Sequence, residues 1–138
     1  MGQAIIDRLQ NHYPKQVLNT LERIVVFCEF FGPNSFAGMH EQRDTKELKV
    51  FDVHLFKKGF IAPKDFVEIF SGFGQAAELL YQGTLTQPYI DSVRADTSLG
   101  EGVVCKALVN SRVEMCTIKT DAWLTKLKIQ FTNWEELV

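Results

Sequence analysis

Between Ile24 and Gly38 the chain reads IVVFCEFFGPNSFAG, and this stretch constrains the fold more than any other. β-Branched and aromatic residues from Ile24 to Phe31 make the kind of apolar run that becomes a strand, and a Gly-Pro-Asn-Ser turn signal closes it. Glu29 stands inside that run. An ionised carboxylate removed from water is costly unless something pairs with it, so Glu29 needs a partner, a ligand, or a place on the open face of an edge strand. Period-two alternation leaves these readings open, because it sends neighbouring side chains to opposite faces.

The 138 residues are one domain's worth of chain, enough to bury a core. A net charge of -2 gives no global footprint for nucleic acid, so any such role must rest on particular residues or a local basic patch. The three cysteines form no CxxC pair and no Cys/His spacing suited to zinc, which fits a reducing cytoplasm. No apolar run is long enough to span a bilayer and no basic-then-apolar leader opens the sequence. The expectation is a soluble, non-secreted protein.

Along the chain, Ile5, Ile6, Leu9, Tyr13, Val17, Leu18 and Leu21 repeat at helical spacing, with Pro14 forcing a break near His12 to Tyr13. A polar segment, His40 to Lys46, leads to Leu48–Phe56, which alternates as a second strand with Asp52 as its anomaly. Lys57-Lys58-Gly59 reads as a turn and Phe60-Ile61 as a short return. Pro63 opens a helix over Lys64–Phe70. Gly72 to Gly83 reads as a strand, and Gln87-Pro88 opens a helix over Tyr89–Arg94. Gly100–Val109 and Arg112–Thr120 form a hairpin around Asn110-Ser111. Trp123, Leu127, Phe131, Trp134 and Val138 then recur on one helical face, with Asp121 as the expected N-cap.

Three carboxylates, Glu29, Asp52 and Glu101, occupy strand-like apolar surroundings. With Lys119 they suggest a site for a phosphate-bearing ligand, the carboxylates serving ribose hydroxyls or a divalent cation and the lysine a phosphate. Phe51 is either a stacking face for a base or an ordinary core aromatic. A two-residue loop at Asn110-Ser111 would put Glu101 and Lys119 on opposite faces, so a shared site predicts an odd loop or a bulge in this hairpin. No GxxxxGK loop, dinucleotide fingerprint or Ser/His/Asp set is present.

The ordered blocks FCEFFGPNSFAG, KVFDV, GEGVVCKA and CTIKTDAWLTKLK resemble motifs III, IIIa, IV and V of the covalent nucleotidyltransferase superfamily, closest to phage-type ATP-dependent RNA ligases. The resemblance runs from about Ile24 to Lys128. It implies an α/β domain of the α+β kind, antiparallel sheets flanked by helices, as a single partial nucleotidyltransferase domain over 1–138. It also implies RNA-end joining through a lysine-linked AMP, with ATP and Mg2+ or Mn2+. By position, Glu29 would contact ribose, Phe51 would stack on adenine beside Asp52, Glu101 would serve metal and catalysis, and Lys119 would hold the α-phosphate. Thr117 stands where the first lysine of motif V would be. No K-x-D-G precedes Glu29, and Lys15, the one lysine there, is followed by Gln-Val-Leu. The expected candidates are therefore a truncated or split ATP-dependent RNA ligase completed by a chain carrying K-x-D-G, a noncatalytic nucleotide- or RNA-binding module, or a DNA-ligase or capping-type relative.

Overall fold

A computed structural model describes residues 1–20, 22–32 and 45–137. The turn expected after Gly32, the rest of the SFAG block, most of the polar segment before Lys46, Leu21 and Val138 lie outside the described residues. The fold is α+β, with small antiparallel sheets and flanking helices. The chain divides into two compact units, Met1–Leu80 with Ala107–Glu114, and Tyr81–Lys106 with Met115–Val138. Among the described residues, no helix is long and apolar enough to cross a membrane.

In the first unit, helix α1 (Gly2–His12) stops where Pro14 would break the hydrogen-bond ladder, and a short helix α2 (Lys15–Leu18) follows. Strand β1 (Ile24–Phe31) pairs antiparallel with β2 (Glu47–Leu55), which pairs in turn with β3 (Gly59–Phe60). Helix α3 (Pro63–Ile69) begins with proline at its first position, where a missing N–H costs nothing. The buried core gathers Ile5 and Leu9 of α1, Val50, Val53 and Leu55 of β2, Ile61, and Phe66, Ile69 and Phe70, with Ile24, Val26 and Cys28 of β1 packed on it. Gly72–Gly83 is not a strand. Beyond one isolated parallel bridge, Val50 with Ala76, it forms no ladder, and Val50 N–H and C=O are tied to Gln75 and Ala77 at 2.7 Å each. Glycines at both ends and a helix-forming middle give it no two-sided apolar alternation to pair with.

The second unit is built from helix α4 (Gln87–Ala95), the feet of a hairpin formed by β4 (Gly102–Val109) and β5 (Arg112–Lys119), and helix α5 (Asp121–Gln130). Val93, Ile118, Trp123 and Leu127 are its buried apolar residues. The N-cap of α5 is Thr120, not Asp121, because the Thr120 hydroxyl accepts from Trp123 N–H at 3.2 Å. The helix ends at Gln130. Phe131 is its extended C-cap and Trp134 begins a separate 3-10 turn (Trp134–Leu137), so the expected single helical face stops after Leu127.

Candidate functional site

The sheet of the first unit has two unlike faces. On β1, Ile24, Val26 and Cys28 pack on the core while Val25, Phe27 and Glu29 alternate onto the exposed side. Glu29 thus takes the open-face position of an edge strand. It stands opposite Lys49, whose Nζ donates to Gly74 O at 2.6 Å and lies 3.4 Å from Glu47 Oε2.

The register between β1 and β2 breaks once, between Phe27 and Cys28. Phe27 pairs with Asp52 and Cys28 with Val50, so Phe51 is the extra residue of a β-bulge. A bulge bends its strand and re-aims a side chain. Phe51 is accordingly absent from the core cluster; its ring lies half-buried, 6.3 Å from Phe27, and Phe27 is 5.4 Å from Phe60. Asp52 is 1% exposed, and its Oδ1 accepts from Val53 N–H at 2.9 Å. The pairing therefore brings Glu29, Phe27 and Asp52 to one face, with Phe51 against Phe27. Sequence reading missed Phe27 and Phe60; Phe27, two residues before Glu29, was legible from alternation.

In the second unit Lys119 Nζ donates to Glu101 Oε1, and the same ammonium sits 4.8 Å from the centre of the Trp123 ring. The Lys119 side chain is 19% exposed and that of Glu101 45%. Their meeting does not come from a bulge. Asn110 and Ser111 have φ of 48° and 63°, the two positive values of a tight two-residue turn. At the feet of the hairpin Thr120 N–H donates to Glu101 O at 3.0 Å and the Cys105 thiol meets Cys116, which are the pairings of that plain loop. Burial first, then Cys116, raises the Cys105 pKa. The expected odd register is thus corrected. Instead, Gly102 at φ +146° breaks the alternation just where Glu101 leaves the strand, and Gly100 at +63° completes the swing. A Cβ at Gly102 would lie 2.0 Å from Ile118 O and 2.9 Å from Lys119 Cα. Below the pair, the Thr120 hydroxyl, fully buried, donates to Gly100 O at 2.6 Å while capping α5. Arg94 Nε and Nη2 each donate to Asp121 Oδ1 at 3.2 Å, tying α4 to the start of α5.

Among the described residues no three His, Cys, Asp or Glu side chains gather as a metal-binding group. Glu101 is the carboxylate at this foot of the hairpin that could join phosphate oxygens and water around Mg2+, a cation that commonly takes only one or two carboxylates from its protein.

A family profile described as RNA ligase matches residues 2–124. The chain belongs to the RNA ligase family. The match spans Glu29, Phe51, Asp52, Glu101 and Lys119, and it takes in the N-terminal helices, which the motif resemblance left outside. No curated protein and no solved structure matches the chain. The two groupings are a ring-lined sheet face with carboxylates in one unit, and a carboxylate–ammonium pair backed by an indole in the other.

Proposed function

We propose that residues 1–138 are a single RNA-ligase-type nucleotidyltransferase domain that binds ATP, of the phage-type ATP-dependent class and working in the cytoplasm. Phe51, supported by Phe27, stacks on adenine; Glu29 receives ribose hydroxyls, with Asp52 fixing the bulge beside it. By its place in the motif resemblance, Lys119 is assigned the α-phosphate role, and Glu101 would hold Mg2+ or Mn2+, which would supply neutralisation of phosphate charge. The observation that carries this reading is the bulge at Phe51, which takes an aromatic out of a core-facing rhythm and sets it beside Phe27 on the face that carries Glu29.

The covalent step of the family needs a lysine in K-x-D-G. None occurs in this sequence. With Thr117 in place of one motif V lysine as well, AMP transfer to RNA ends requires a nucleophile from outside these residues, such as one on a complementing chain. Alone, this chain acts as a nucleotide-binding module. Titration with a fluorescent ATP analogue tests the pocket. Phe51→Ala is expected to weaken binding about 3- to 10-fold, since an aromatic contact contributes about 0.5–1.5 kcal/mol beyond area burial. Equal affinity for wild type and variant would refute the assignment.

A further inference from the structure

We infer that the β2–β3 turn, with the end of the sheet beside it, is a contact surface for the phosphate backbone of single-stranded RNA. Three cations meet there. Arg23 lies just before β1 and is paired to the other side of the ladder through Phe56 N–H to Arg23 O at 3.0 Å; Lys57 and Lys58 form the turn. All three are exposed. Cations on a turn are commonly no more than a solvated surface, but two of these are held in place. The Arg23 guanidinium carbon lies 5.6 Å and the Lys57 ammonium 5.1 Å from the centre of the Phe56 ring. Lys57 also adopts φ 61°, a left-handed conformation that asparagine or glycine fills more readily. The Glu22 carboxylate, 3.5 Å from Lys57, offsets one charge and leaves Arg23 and Lys58 as the excess.

The turn also adjoins rings. Phe60 directly follows it, lies edge-on to His54 at 5.0 Å, and is 5.4 Å from Phe27. A strand of alternating phosphate anions and base faces matches a cationic turn that leads into an aromatic strip, which is the recurring design of single-strand binding surfaces. The choice of RNA as the polymer rests on the family reading; the cations Arg23, Lys57 and Lys58 lie outside the proposed nucleotide pocket, which the aromatic strip meets at Phe27.

The test is fluorescence anisotropy of a labelled oligouridylate with the whole chain across a salt series, with the ATP analogue titrated in parallel. Arg23→Gln/Lys58→Gln is expected to weaken RNA binding at least fivefold at low salt and to flatten the slope of log affinity against log salt by about 0.7 for each phosphate no longer neutralised. Its ATP-analogue affinity should stay unchanged. Lys64→Gln/Lys126→Gln, which removes the same charge from exposed helix positions, should leave RNA binding within twofold. Equal weakening by both double variants, or no RNA binding by wild type, would overturn the surface. Loss of ATP-analogue binding with RNA binding intact would overturn the pocket and spare the surface.

Discussion

At Gly102 a single residue decides whether two charged side chains meet. Its φ of +146° suits glycine, and the nearest atom an added Cβ would meet is Ile118 O at 2.0 Å, a backbone atom that no rotamer change can move aside. Gly102→Ala is therefore expected to destabilise the chain by about 2–3 kcal/mol in urea unfolding and to loosen the Glu101–Lys119 pair. Gly74→Ala is the contrast. Nothing lies within 4 Å of its added Cβ, and its effect should stay within about 1 kcal/mol. Equal midpoints for the two variants would show that the foot of the hairpin is not strained. That a carboxylate and an ammonium stand at this foot was readable in the GEGVV and TIKTD blocks. The geometry was not, because a strict period of two carries no information about where one glycine suspends it.

Two helix ends show the same at the scale of elements. Thr120 closes the second unit from beneath: its hydroxyl accepts from Trp123 N–H and donates to Gly100 O, and it is fully buried. Thr120→Ala should cost about 1–2 kcal/mol by losing the cap and the hydroxyl's bond to Gly100 O, whereas exposed Asp121→Ala should cost under about 1 kcal/mol. Comparing urea midpoints decides between them; a larger loss for Asp121→Ala would return the cap to the acid. In the first unit Tyr13, the C-cap of α1, donates to Asp65 Oδ2 on α3 at 3.4 Å. Burial first, then the Asp65 charge and this hydrogen bond, push its pKa up to about 12. The folded state thus keeps a proton that the unfolded chain releases near pH 10, and the stability from Tyr13 is present below pH 10 and lost between about pH 10 and 12. Burial also raises the Tyr89 pKa, so absorbance titration of the tyrosinate band should show a late-titrating component that shrinks in Tyr13→Phe. An unchanged late component in that variant would contradict the α1–α3 link. The strands β1 and β2, the Pro63 helix and the hairpin were legible because apolar rhythm and turn residues agree there. Gly72–Gly83 misled because composition without a partner strand does not make a ladder, and the run from Trp123 to Val138 misled because spacing alone does not show that the backbone turns extended at Phe131.

At the scale of the whole molecule, family membership follows from a profile match over residues 2–124, while the ordered motif blocks were already readable as a resemblance. The sheet face around Phe51 and the foot of the hairpin around Lys119 carry the proposed nucleotide chemistry, and the sequence lacks a K-x-D-G lysine. Nucleotide binding and covalent transfer are therefore expected to come apart in this chain. The most direct measurement incubates the chain with α-labelled ATP and Mg2+ or Mn2+, and reads label retained on native filters against label surviving denaturing electrophoresis. Retention that competes with unlabelled ATP, weakens in Phe51→Ala, and vanishes on denaturation is the result predicted. A labelled band that survives denaturation and disappears with one lysine, such as Lys15→Ala, would show a working adenylyltransferase, and no native retention at all would remove the nucleotide pocket.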